Sequence, residues 1–460
     1  MQTGTMIAGG GDSDTSSLKT RPPIGIGAML IMNFGFFGIQ FSFGLQQTAV
    51  NPVYEFLGAN PHDLPILNLA GPITGLLIQP LIGALSDRTW SPRWGRRKPF
   101  FLIGAIGCSI CLFLFPFVTA VWMAVLLLWL LDASNNTAME PYRAFIADKL
   151  PPSQLGKGFL AQSFFTGLGI TLANISLFVF QKFIDGATSA GIPYWVVGSF
   201  MLGAVCSISS VLISVLRTPE IPPTAEELAA LRAKKGGLGP AVKEIGEAIK
   251  DMPPQLRKLA LVYFFQWYGM VCYWQFIALT IAQTLFPATQ EGKEEAVAWT
   301  GLVNGWYNIV TFSVAFALVA FAKKRGAKLV HCVCLLLAAV GLMIVPSVGN
   351  QYLIFIPMIG LGIAWASIMG VPYIMAVRMI PSTRFGVYMG IINMMIVVPM
   401  LIQSVSFGWI FEHLLGDNPS NAIRFAAVFL AIAGVLMLWI KEPRIVRDVD
   451  DVTAMPMAGH

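Results

Sequence analysis

Apolar runs close to 20 residues long recur along almost the whole chain, separated by short polar stretches. Twelve can be counted, beginning near Ile24, Leu64, Pro99, Val121, Gly158, Pro193, Leu259, Thr300, Leu329, Tyr352, Phe385 and Ala422. As an α-helix, each is long enough to cross ~30 Å of hydrocarbon. Six runs precede one long charged stretch and six follow it. The pattern predicts a polar tail over 1–22, a six-helix bundle over 23–216, a linker over 217–258, a second six-helix bundle over 259–441 and a tail over 442–460. The expected fold class is an all-α polytopic membrane protein with twelve transmembrane helices in two six-helix bundles.

The linker reads as two short helices. Thr224 and Glu227 have capping-box spacing, and Gly236-Gly237 supplies a stop. From Pro240 to Asp251, Val242, Ile245 and Ile249 share one face, so this stretch is expected to lie on the membrane surface and tether the halves. The Gly/Ser-rich N-terminal tail is expected to be disordered. It lacks the ordered parts of a signal peptide, so the first span is expected to be retained.

Composition agrees with the pattern. Of 460 residues, 56% are hydrophobic and 12% charged, about half the charged fraction of a soluble protein. With both termini placed in the cytoplasm, 26 of the 30 Lys and Arg fall on that side. Only Lys182, Lys293 and Arg424 fall outside, and Arg143 lies within a span. That split satisfies the positive-inside rule. The net charge of +6 therefore reflects membrane orientation, and no nucleic-acid partner is expected. All six cysteines fall within predicted spans and read as packing residues. Cys332 and Cys334 lack the further ligands of a metal site, and no cofactor is expected.

The fourth run carries charge where a membrane helix normally has none: Asp132, Glu140 and Arg143. A charge within a span costs roughly 3 kcal/mol on insertion scales, so such residues face a protein interior or an aqueous path. Asp132 should stand ~16 Å into the span, close to the midplane. Asn136, Glu140 and Arg143 fall near it on one helical stripe. Arg143 is a further ~16 Å along, too far for a bridge to Asp132; Glu140 is its partner at i, i+3. Burial disfavours the charged form of a lone carboxyl, which suits Asp132 to take up and release a proton. A permanently protonated structural role is the competing reading. Glu140 either takes part in gating or only neutralises Arg143, which itself lies near the cytoplasmic edge.

After the second run comes the most specific short motif. Gly83, Asp87 and Arg88 are followed by Gly95, Arg96, Arg97, Lys98 and Pro99. The glycine lets helices approach, the charges suit helix ends, and Pro99 suits a first turn. This pattern resembles the loop 2–3 signature of the major facilitator superfamily. The stretch AGPITGLLIQPLIGALSDRTWSPRWGRRKPF is similar to the sucrose-transporter group within it. So are FGIQFSFGLQQTAVNPVYEFLG, WLLDASNNTAMEPYRAFIADKL and ASIMGVPYIMAVRMIPSTRFGVYMGIINMMIVVP. The resemblance implies the major facilitator fold, proton coupling at Asp132 and a transport role for Arg143. It also matches Gln40 to a glutamine of the family's first span and His62 to an external histidine. One departure stands out: WYGMVCYWQF in span 7 lacks the acidic residues that plant and animal members carry there.

Disaccharides are neutral and rich in hydroxyls, so their sites need amides, carboxylates and aromatic faces. Candidate substrate contacts are Gln40, Asn135, Asn136, Arg143 and Gln162 in the first half. Trp267, Asn304, Tyr307, Asn308 and Trp365 are those of the second. Gln266, Tyr273, Trp274 and Gln275 are further candidates of the second half. For each, an interhelical hydrogen bond or an interfacial aromatic is the competing role.

The expected function is proton-coupled symport of a disaccharide, maltose or sucrose, by alternating access. A sodium-coupled or uncoupled carrier of another glycoside or polar solute is the alternative, and a non-transporting sugar sensor is more remote. No nucleophile–base pairing or metal cluster within a span points to an enzyme. Expected partners are a disaccharide, protons and the lipid bilayer, with the chain working as a monomer. It is expected as a multi-pass protein of the cell membrane, the inner membrane in a Gram-negative organism.

Overall fold

In hydrocarbon an apolar segment must satisfy its own backbone N–H and C=O groups, and a helix does so. The computed structural model describes residues 22–222, 246–379 and 385–441. Among them stand α1 (Ile26–Phe56), α2 (Ala70–Arg88), α3 (Lys98–Leu114), α4 (Val121–Lys149), α5 (Pro152–Gln181) and α6 (Tyr194–Arg217). They are followed by α7 (Pro254–Leu285), α8 (Gln290–Arg325), α9 (Ala327–Ile344), α10 (Phe355–Met379), α11 (Phe385–His413) and α12 (Pro419–Leu436). The tails, the first linker helix from Thr224 and the side chains of Asp87 and Arg88 lie outside the described residues.

The packing repeats with an offset of six helices. α1 lies against α5 and α6, as α7 lies against α11 and α12. α3 packs on α4 and α6, as α9 packs on α10 and α12; α2–α4 is matched by α8–α10. The halves meet along α5–α8, with α11 against α2 and the turn before it.

Nine of these helices contain a stretch apolar enough to cross a membrane on composition alone; α4, α7 and α8 are not among them. Those three carry Asp132, Asn135 and Asn136, Gln266 and Gln275, and Asn304 and Asn308, all buried. Their departure from apolarity follows from facing the protein interior rather than lipid.

Two helices start well before the apolar run. α8 begins at Gln290, ten residues ahead of Thr300, because Thr289 caps it by accepting from the Gly292 amide at 3.0 Å. α5 begins at Pro152, with proline in its first turn. α1 is interrupted at Phe34. The Tyr142 hydroxyl of α4 bonds the Met32 carbonyl, which also accepts from Ser214 Oγ at 2.6 Å, and the Gly35 amide donates to Tyr142 at 3.1 Å. Backbone groups freed by the break are thus held by side chains.

Residues 246–250 of the linker are helical, but they do not present Ile249 to the protein. Ala248 and Met252 are buried instead, and Tyr388 of α11 donates to the Ala248 carbonyl at 3.2 Å. This end of the linker docks on the second half; it is more than the surface tether expected from the sequence.

Candidate functional site: a polar interior between the two halves

Asp132 is 4% exposed and sits midway along α4. The Gln46 amide of α1 lies beside its carboxyl, and Gly71 of α2 faces it, where a Cβ would be in ordinary contact at 3.7 Å from Oδ2. Among the described residues Asp132 makes no ion pair. One turn on, Asn136 accepts from Gln79 at 2.6 Å and donates to Thr74 Oγ1 at 3.1 Å. Its amide is therefore engaged in α2–α4 packing. Arg143 donates to Glu140 Oε1 at 2.8 Å, the partner expected from the spacing.

Three of the amides expected to bind sugar keep a buried acceptor that has no hydrogen-bond partner among the described residues. They are Gln40 Oε1 on α1, Asn135 Oδ1 on α4 and Gln162 Oε1 on α5. Asn135 spends its N–H₂ on Ser42 at 2.9 Å. Among the described residues, Gln40 has a long contact to the Met139 sulfur at 3.8 Å. Buried acceptors are rarely left unpaired in a resting fold. Hydroxyl donors of a polyol are the chemistry they lack.

The second half offers rings and amides. Trp365 meets Trp267 edge to face at 5.9 Å between centroids and Trp274 at 5.3 Å. Tyr307 packs edge to face on Tyr273 at 6.1 Å. Asn308 donates to the Asn304 carbonyl at 2.8 Å. Asn304 bridges the halves: it accepts from Tyr273 at 2.6 Å and donates to Thr48 of α1 at 2.8 Å, and Thr48 in turn bonds Asn174 of α5. Gly301 permits this contact, since a Cβ there would meet the Asn174 carbonyl at 2.5 Å. Nearby, a cavity of about 320 Å³ is lined by Glu55, Gln290, Lys293 and Glu294, and by none of the expected sugar contacts.

At the end of the bundle bearing the basic loops, the loop 2–3 motif forms a closed charge cluster. Arg97, 4% exposed, donates to Asp148 of α4 at 2.9 Å and to Ser86 at 2.6 Å. The Glu220 carboxylate accepts the backbone amides of Arg96, Arg97 and Lys98 at 2.6, 2.8 and 2.9 Å. It thereby caps the N-terminus of α3. Gly95 has φ +78 and leaves the space that Glu220 fills. At Gly83 no described atom lies within 4 Å of where a Cβ would stand.

Some members of these networks were not among the sequence candidates. Asn174 and His331 carried a usable signal, an amide and an imidazole inside apolar runs. Thr48 and Tyr142 carried none, since both types are common in spans. Glu220 bonds backbone amides more than 120 positions away, which no motif shows.

Twelve helices with a six-helix repeat in their packing, and polar groups gathered between the halves, define a polytopic membrane transporter. Residues 32–404 match the Major Facilitator Superfamily model, and the chain belongs to that family. Its relatives include the Sucrose transport protein SUT5 of Oryza sativa subsp. indica. That protein is 22% identical, over 98% of this chain and 93% of its own length. The Sucrose transport protein SUC4 of Arabidopsis thaliana is 25% identical, over 90% and 89%. Solved structures with the same fold include a D-xylose-proton symporter (TM-score 0.65, 15% identity, 90% of this chain and 97% of that one). The nucleoside transporter NupG is another (TM-score 0.66, 13% identity, 90% and 97%).

Proposed function

We propose that this chain is a proton-coupled disaccharide symporter working by alternating access, with maltose or sucrose as substrate and both termini in the cytoplasm. One observation carries the reading: a buried carboxyl, Asp132, stands midway along α4 and, among the described residues, has no ion-pair partner. An ionised carboxylate at that depth needs water around it, whereas a protonated one does not. Its two protonation states therefore favour different helix arrangements, open to water when ionised and closed when protonated. Sugar bound by Gln40, Asn135 and Gln162 against the tryptophans of the second half favours closure as well. Each ligand then strengthens binding of the other, which is the reciprocal condition for coupling. Sucrose transport by relatives covering nearly the whole chain supports the substrate class.

The test is uptake of radiolabelled maltose and sucrose into proteoliposomes, with and without an inward proton gradient, for wild type and Asp132→Asn. Accumulation driven by the gradient in wild type and absent in the variant, with sugar counterflow retained, is expected. Uptake indifferent to the gradient in both would replace symport by uniport or another coupling ion.

A further inference from the structure

His331 of α9 is fully buried in the second half and makes two hydrogen bonds, to Ser367 of α10 at 2.8 Å and to Gln266 of α7 at 2.9 Å. Gln266 meets it with Oε1, a carbonyl oxygen that can only accept. The imidazole hydrogen therefore sits on Nε2, and Nδ1 accepts from the Ser367 hydroxyl. Held this way, the Gln266 amide turns its other end outward from the pair. That end, the Nε2 N–H₂ group, is buried and has no hydrogen-bond partner among the described residues. A residue serving only to join helices would be expected to have both ends paired.

The repeat supplies a second observation. α1 and α7 are counterparts, each opening one half. Gln40 lies 14 residues into α1 and Gln266 lies 12 residues into α7. Each is fully buried and each keeps one amide atom unpaired, an acceptor in Gln40 and donors in Gln266. A sugar hydroxyl both donates and accepts, so the pair is complementary to hydroxyls presented from one ligand. Trp267, next along α7, packs on Trp365 of α10, the helix that carries Ser367.

We infer that Gln266 is a sugar-hydroxyl donor of the second half and that His331 is its positioning residue. Tied to α9 and α10, the imidazole fixes which end of the amide faces the substrate. The inference rests on the sugar-transport reading above and adds to it a residue that does not touch substrate.

Binding of maltose and sucrose to the purified full-length transporter is measured by calorimetry for wild type, His331→Leu, His331→Gln, Gln266→Leu and the double variant. Thermal midpoints are recorded for each. His331→Leu and Gln266→Leu should each weaken binding about tenfold, and the double variant should be no weaker than either single one. His331→Gln can donate to Gln266 and accept from Ser367, and should bind within about threefold of wild type. Gln266→Leu leaves His331 bonded to Ser367, so it reports on binding even where His331→Leu folds poorly. Wild-type affinity in Gln266→Leu, losses that multiply in the double variant, or a His331→Gln protein as weak as His331→Leu would overturn the inference. Wild-type protein that binds neither sugar would instead overturn the sugar reading itself.

Discussion

The two halves share a packing plan but not a chemistry. In the first half, α4 carries Asp132, Glu140 and Arg143 within the bundle. In the second, α10 carries no acidic residue, and the interior is built from Trp267, Trp274, Trp365, Tyr307 and amides, with one imidazole, His331, held between Ser367 and Gln266. A carboxyl without a bonded partner on its own helix can respond to a proton gradient; indoles and amides cannot, and the imidazole of His331 has both nitrogens engaged. Under the function proposed above, the difference amounts to a division of labour in which one half senses the proton and both grip the sugar. Such a division can be broken experimentally by asking whether coupling and recognition fail separately.

The largest effect is expected at Asp132. Asp132→Asn should abolish gradient-driven accumulation, at least a hundredfold, while exchange of sugar across the membrane continues. Trp365→Ala should do the reverse. It removes the ring that meets both Trp267 and Trp274, and aromatic contacts of this kind are worth about 0.5–1.5 kcal/mol. The sugar concentration for half-maximal uptake should rise about tenfold, with the accumulation ratio at saturation unchanged. Should Trp365→Ala also lower that ratio, the halves are not divided and coupling is spread through the site.

How much of this was legible in the chain follows from how unusual each residue is in its surroundings. A carboxylate in an apolar run is rare, so Asp132 and the Arg143–Glu140 pair stood out and fell where spacing put them. Helix number followed from run length. Helix starts did not, because hydropathy sees only the apolar part of a helix such as α8, whose first turns are Gln290, Glu291 and Lys293. The break in α1 was invisible, since Phe34 is an ordinary span residue and the groups that hold the break, Tyr142 and Ser214, are far away in sequence. Asn136 was read as a sugar ligand from its face of α4. The same face turns out to meet Gln79 and Thr74, and only the packing of α2 shows that.

A smaller effect sharpens the comparison at the seam. Asn304 joins Tyr273 of its own half to Thr48 of the other. A buried hydrogen bond contributes about 1 kcal/mol, so Asn304→Ala should shift the balance about fivefold toward separation of α1 from α8. Spin labels at Ala187 and Gln290, both lining the cavity at that end, would read the shift as a longer distance population. An unchanged distribution would mean that the bond joins surfaces already held by α5–α8 packing.

The smallest effect is expected where the motif is most recognisable. Glu220 uses Oε2 for the Arg96 amide and Oε1 for those of Arg97 and Lys98. Glu220→Gln keeps one oxygen and replaces the other with an N–H₂ that repels an amide donor. It also removes the negative charge that complements the N-terminus of α3, worth about 0.3–1 kcal/mol. The Arg97–Asp148 pair beside it remains. The thermal midpoint should therefore fall by about 2 °C, with half-saturation by sugar and the accumulation ratio both unaltered. If the ratio dropped instead, the cluster at the basic end would be taking part in the transport cycle. Coupling would then extend beyond Asp132 to the cap that joins α3, α4 and the start of the linker.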